Sequence, residues 1–201
     1  MRKPASHAKK MTPREFDEIY ARYQADVFRF LFYLTRDQAE TEDLFQEVWL
    51  RVVRCGPPRP DREDLKPWLL TIVLNLHRDA LRRKRVRRLF LAKWFRPENA
   101  SSARSEPPTL PQGDPARLSE QAALQRDIDQ AVASLPVKQR RVFLLSELEG
   151  LPQAEIAGIL KVPLGTVKSL LFRAVKRLQR ELAVHDPKGG RMKCDAKMLS
   201  V

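Results

Sequence analysis

Residues 135–182 read LPVKQRRVFLLSELEGLPQAEIAGILKVPLGTVKSLLFRAVKRLQREL. The stretch predicts three helices with two tight breaks, and the last two have the spacing of a helix-turn-helix. Ile156, Ala157 and Leu160 fall on one face of the first of that pair, and Val162 packs the corner. Val167, Leu171, Ala174 and Leu178 step by four, three and four, which is the buried stripe of an amphipathic helix. The opposite face carries Thr166, Lys168, Ser169, Arg173, Lys176 and Arg177. An apolar back with a basic front is what a helix needs to enter a major groove. An ordinary amphipathic hairpin with a solvated basic face has the same periodicity.

Composition points the same way. The 201 residues carry 38 Lys and Arg against 25 Asp and Glu, a formal charge of +13. That balance favours a polyanionic partner through counterion release. A surface charged only for solubility, or one attracted to an anionic membrane, would share it. No apolar run approaches the ~18 residues of a membrane span. The first residues, MRKPASHAKKMTP, lack the apolar core of a signal peptide. A cytoplasmic location is expected. Cys55 and Cys194 match no metal-site spacing and are read as reduced thiols.

Upstream of the helix-turn-helix, residues 97–118 (PENASSARSEPPTLPQGDPARL) hold five of the chain's 15 prolines and no apolar periodicity. This is linker composition. The whole chain has only seven glycines and no stretch that alternates as a strand would. The expected fold is therefore all-α: two small helical domains joined by a flexible Pro-rich linker. The expected bounds are 1–13 N-terminal tail, 14–88 first domain, 89–119 linker, 120–183 second domain and 184–201 C-terminal tail.

The first domain opens on a capping box, Thr12-Pro13-Arg14-Glu15, with Pro at the first helical position. Phe16, Ile19, Tyr20, Tyr23, Val27, Phe30, Leu31 and Leu34 follow at helical spacing. Asp37-Gln38-Ala39-Glu40 starts a second helix that runs to about Arg54 and stops at Cys55-Gly56-Pro57-Pro58. On it Leu44, Val48 and Val52 face a core, and Glu42, Asp43, Gln46 and Glu47 are left outside. An acidic face on a basic protein suggests a protein partner with a basic receiving surface; a merely solvated face is the alternative. A third helix begins near residues 64–67 and ends in Arg82, Arg83, Lys84, Arg85, Arg87 and Arg88, six cations in seven residues. Cations suit a helix C-terminus, but this density exceeds what capping needs. Trp68 is of a type more often core than base-stacking, and His77 alone is no metal ligand.

Four segments in this order, DLFQEVWLRVVR (43–54), WLLTIVLNLHRDALRR (68–83), LPVKQRRVFLL (135–145) and EIAGILKVPLGTVKSLLFRA (155–174), resemble a bacterial RNA polymerase sigma factor. The likeness is to the short extracytoplasmic-function type of the sigma-70 family, over residues 14–88 and about 120–183. It implies that Asp43, Gln46 and Glu47 dock on core polymerase. It implies that Trp68, Asn75, Arg78, Asp79, Arg82 and Arg83 recognise and open the −10 element. It implies that Thr166, Lys168, Ser169, Arg173 and Lys176 read the −35 element. Each role suits the residue types: melted bases need stacking and edge contacts, and short polar side chains early in a recognition helix suit base edges and phosphates.

Two positions depart from the family pattern. Leu170 stands where Arg usually follows Lys-Ser, which removes a phosphate or guanine contact. Lys161 stands where the turn often has Gly: either it adopts a left-handed conformation at modest cost or the turn differs. The resemblance implies core RNA polymerase, promoter DNA and an anti-sigma factor as partners. No nucleophile–base pair, phosphate loop or metal cluster is visible, so no enzyme activity, cofactor or metal is expected. The C-terminal tail, with its single Cys194, has too few ligands for zinc and reads as disordered. The other functional classes open at this point are a polymerase-independent helix-turn-helix regulator and a nonspecific nucleoid-binding protein.

Overall fold

A computed structural model describes residues 11–57, 65–94 and 115–182, with side chains described over 11–57, 65–90 and 125–182. Among them are seven α-helices and no strand: α1 (Pro13–Thr35), α2 (Gln38–Cys55), α3 (Lys66–Trp94), α4 (Pro115–Ser134), α5 (Val137–Phe143), α6 (Gln153–Leu160) and α7 (Leu164–Glu181). The chain divides into two compact units at residues 105/106. Helix α3 runs to Trp94 and α4 starts at Pro115. Residues 89–94 and 115–119, expected in the linker, are thus helical, and an unbroken run of helix formers through LFLAKW accounts for the extension. The remainder of the Pro-rich segment, 95–114, and both tails with Cys194 lie outside the described residues.

In the first unit α1 begins as its sequence demands. The Thr12 hydroxyl accepts the Glu15 N–H at 3.2 Å, and the Glu15 carboxylate accepts the Thr12 N–H at 2.7 Å. The helix stops at Arg36, left-handed at φ 58°, whose N–H donates to the Phe32 carbonyl. No glycine is present there. The Arg36 guanidinium instead lies over the Phe32 and Tyr33 rings, 5.4 and 5.7 Å from their centroids, contacts that offset the cost of the conformation. Asp37 then caps α2 by accepting the Glu40 N–H at 2.8 Å.

The three helices bury Val27, Phe30, Leu31 and Leu34 of α1 against Leu44, Val48 and Val52 of α2 and Leu69, Leu70, Val73 and Ala80 of α3. Full burial of each Val or Leu is worth about 1.5–3 kcal/mol. Phe16, Tyr20, Phe45 and Trp49 form a second, aromatic contact between α1 and α2, with Tyr20 and Trp49 edge to face at 4.8 Å. The Leu65 N–H donates to the Tyr23 hydroxyl at 3.4 Å, and Lys66 pairs with Asp26 at 3.5 Å. Both fix where α3 enters.

The second unit is built around α5. Val142 and Phe143 at its end and Leu144 and Leu145 after it are consecutive and all buried, so the chain is enclosed on every side there, while Val137 and Lys138 at the helix start are exposed. It continues as a π-helical turn over Leu144–Leu148, in which the Glu149 N–H reaches the Leu144 carbonyl at 3.1 Å. The wider turn lets Leu148 join Leu144 and Leu145 in the core. Ile128, Ala131 and Val132 of α4 and Val167, Ala174 and Leu178 of α7 complete that core. A hydrogen bond of 2.6 Å from Ser134 to Glu181 ties the end of α4 to the end of α7.

Candidate nucleic-acid and polymerase interfaces

The helix-turn-helix forms as its sequence predicts. Helix α6 is short because Pro152 precedes its first residue and Lys161 ends it in the left-handed conformation, φ 56° and ψ 47°. The Val162 N–H closes the helix end on the Ala157 carbonyl at 3.1 Å, and Pro163 precedes α7. Ile156 of α6 and Val167, Ala174 and Leu178 of α7 are buried; Ala157, Leu160, Val162 and Leu171 are half-buried. The expected apolar face is therefore the packed one.

Thr166, Lys168, Ser169, Arg173 and Lys176 are all exposed on the other side of α7. From Thr166 to Arg173 is seven residues, about 10 Å along the helix, the reach of about three base steps. The Ser169 hydroxyl donates to the Thr166 carbonyl at 3.0 Å, which leaves its oxygen free to accept. Arg177, expected on the same face, is half-buried and pairs with Glu181 at 3.0 Å. Leu170 is half-buried at the edge of the packed face rather than at the centre of the polar one.

Sequence reading missed Phe172. Its ring is 61% exposed in the middle of this basic face, and the Lys176 ammonium lies over it, 5.1 Å from the centroid. The available signal was its spacing: Phe172 follows Ser169 by three and precedes Lys176 by four, so it shares their face.

On α3, Trp68, Asn75, Asp79 and Arg82 step by seven, four and three residues and share one face. Asn75, Arg78, Asp79, Arg82 and Arg83 are exposed, and Trp68 is half-buried beside the helix start. His77 is buried, 3% exposed, and belongs to the packed side. Every residue from Arg82 to Phe90 is exposed. The helix thus leaves the body of its domain carrying a dense positive charge. Before it does so, Lys84 meets Glu40 at 2.6 Å.

On α2, Glu42, Asp43 and Gln46 are exposed and Glu47 is half-exposed, while Leu44, Val48 and Val52 are buried as expected. The acidic face continues into Leu50 and Val53, both about half exposed, which sequence reading did not assign. Cys55, at the end of the helix, is an exposed free thiol. Among the described residues no group of His, Cys, Asp and Glu is arranged to hold a metal ion, and no helix is long and apolar enough to cross a membrane.

Comparison with known proteins matches both helical units to one family. Residues 19–87 match the family described as Sigma-70 region 2, and residues 125–178 match Sigma-70, region 4. The chain is 32% identical to the ECF RNA polymerase sigma factor SigE of Mycolicibacterium smegmatis over 171 residues, 85% of this chain and 62% of that protein. It is 32% identical to SigC of Mycobacterium tuberculosis over 171 residues, 84% of that protein. It is 29% identical to SigX of Bacillus subtilis over 167 residues, 83% of each. The fold resembles that of the sigma factor RpoE of Bartonella quintana, solved with the anti-sigma factor NepR. The TM-score is 0.66 at 24% identity, over 85% of this chain and 98% of that one. It also resembles CnrH, solved with the cytosolic domain of CnrY, with a TM-score of 0.55 at 21% identity over 89% of this chain and 92% of that one. Two sigma-70 regions in order, each coinciding with one helical unit, and relatives that share a third of their residues over most of the chain place it in the extracytoplasmic-function sigma factors of the sigma-70 family.

Proposed function

We propose that the chain lends promoter specificity to core RNA polymerase by dividing three contacts among three helices. Asp43, Gln46 and Glu47 of α2 dock on a basic surface of the polymerase. Asn75, Arg78, Asp79, Arg82 and Arg83 of α3, with Trp68 beside them, hold the opened −10 strand. Thr166, Lys168, Ser169, Arg173 and Lys176 of α7 read the −35 duplex. The observation that carries this division is that Asp43 and Gln46 of α2, Asn75, Arg78 and Asp79 of α3 and the five residues of α7 are exposed while the opposite sides of those helix segments are packed into a core, with Arg82 and Arg83 opening the fully exposed run of α3. On this reading residues 14–88 act in docking and opening, 120–183 in upstream recognition, and 89–119 connect them.

The protein works in the cytoplasm and supplies binding rather than catalysis. Two proteins of like fold were solved with an anti-sigma partner or the cytosolic domain of another protein, which supports an anti-sigma factor as a partner here. The acidic face of α2 distinguishes this role from that of an autonomous helix-turn-helix regulator, which has no use for it.

Gel shift and run-off transcription on genomic promoter fragments, with and without core polymerase, test the proposal. Alone, the protein binds DNA weakly and with little sequence preference, since one recognition helix offers few base contacts. With core polymerase it forms specific complexes and initiates transcripts. Asp43→Lys with Glu47→Lys removes that gain, because like charges across an interface can cost several kcal/mol. Tight operator binding without polymerase, unaffected by the double reversal, would overturn it.

A further inference from the structure

Two helices of the first domain expose apolar side chains, and the two faces are complementary. On α2, Leu50 is 50% and Val53 53% exposed, following Asp43 and Glu47. On α3, Val86, Leu89 and Phe90 are 44, 63 and 65% exposed, following Arg82, Arg83 and Arg85. The α2 face is acidic then apolar, and the α3 face is basic then apolar, in the same N-to-C direction. The spacing also agrees. Asp43 precedes Leu50 by seven residues and Arg83 precedes Phe90 by seven; Glu47 and Arg87 each fall four residues into that step. Laid parallel, the helices set Asp43 beside Arg83, Glu47 beside Arg87 and Leu50 beside Phe90.

We infer that the α3 tip of one copy docks on the α2 face of a second copy. DNA phosphates would satisfy the arginines but have no use for Leu89 and Phe90. An anionic bilayer would take up the basic apolar face and repel the acidic one. A second copy occupies both. The net charge of +13 opposes association at long range, but it is screened beyond about 8 Å at physiological salt, so the local pairs decide. Two turns of helix on each side bury less than the roughly 1,000 Å² of a durable interface, and the association is weak, visible at roughly 10–100 μM. The two faces differ, so the contact is head-to-tail. Each dimer keeps one free α2 face and one free α3 tip, and further copies add to it. Such assembly hides the α2 face from polymerase at high protein concentration. That consequence rests on the docking role proposed above, whereas the association itself does not.

Sedimentation equilibrium of the nuclease-treated full chain tests the inference. The average mass of the wild type rises with concentration and does not level off at a dimer. Asp43→Lys/Glu47→Lys and Arg83→Glu/Arg87→Glu are each monomeric and melt as the wild type does. Should the arginine pair prove unable to fold, Leu89→Ser/Phe90→Ser takes its place. An equimolar mixture of the α2 and α3 variants regains an average mass that rises with concentration, since the unaltered α3 tip of one meets the unaltered α2 face of the other and the reversed Lys and Glu faces are again opposite in charge. A wild type that stays monomeric at about 200 μM, a rise in mass that survives either substitution pair, or a mixture that remains monomeric would overturn the inference. A monomer that sediments with phosphatidylserine vesicles through Leu89 and Phe90 would assign the α3 tip to membranes instead. Binding of core polymerase, measured separately, reports on the docking role alone.

Discussion

The Lys84 ammonium lies 2.6 Å from a carboxylate oxygen of Glu40, and the Glu40 side chain is only 14% exposed. The pair joins the last packed turn of α3 to the first turn of α2. It fixes the angle between the helix that carries the acidic face and the helix that carries the basic one. The other Glu40 oxygen is buried without a hydrogen-bond partner among the described residues, so Lys84 is the main compensation for this charge.

Removing Lys84 leaves a mostly buried carboxylate alone. We predict that Lys84→Met destabilises the first domain by about 1–2 kcal/mol, more than an exposed pair would cost. Glu40→Gln with Lys84→Met loses less than the sum of the single changes, because the uncompensated charge is gone. Urea unfolding of the four proteins of this cycle measures the coupling. Strict additivity would mean that the pair is not formed in solution.

Asn75 is exposed on the face of α3 that ends in the arginine run. Asn75→Ala is expected to leave the melting temperature and binding to −35 duplex unchanged while reducing strand opening. Permanganate reactivity of the −10 thymines in the polymerase complex reads this directly. Normal reactivity in the variant removes Asn75 from the opening site.

The basic face of α7 combines phosphate and base contacts, and salt separates them. Lys168→Ala and Arg173→Ala each lower the slope of log K against log salt by about one if the residue meets a phosphate. Phe172→Ala leaves that slope unchanged, because the ring carries no charge. A ring set against a thymine methyl loses about 1 kcal/mol of discrimination on truncation. Titrations of fluorescent −35 duplexes at several salt concentrations distinguish the two kinds of contact. A change of slope in the Phe172 variant would show that the ring acts by positioning Lys176, which stacks on it.

Lys161 closes α6 at φ 56°, a conformation that costs a residue with a Cβ about 1 kcal/mol relative to glycine. The side chain is exposed. Lys161→Gly is therefore expected to stabilise the second domain by about 0.5–1 kcal/mol, with DNA binding retained. A chemical denaturation midpoint that falls would mean that the turn relies on the Lys side chain.

Local signals carried much of this protein in its sequence. Thr12 with Glu15, Asp37, Pro152 and Pro163 mark where helices begin, because each satisfies or dispenses with the free N–H groups of a first turn. The steps of three and four from Val167 to Leu178 set which side of α7 is packed, and hence that its basic residues face out. At Lys161 the sequence left two options, a left-handed residue in a glycine position or a different turn, and the structure has the first. What tertiary structure decided was everything that depends on a neighbour. Arg36 ends α1 in place of a glycine because the Phe32 and Tyr33 rings lie beneath it. The π turn after α5 exists because a wider turn brings Leu148 into a core assembled from α4, α6 and α7. Val86, Leu89 and Phe90 continue α3 past its last buried residue, and Leu50 and Val53 lie beside the acidic face of α2; only the absence of a packed neighbour leaves them exposed. Periodicity fixes which side of a helix a residue occupies; whether that side meets protein or water is settled by elements far away in the chain.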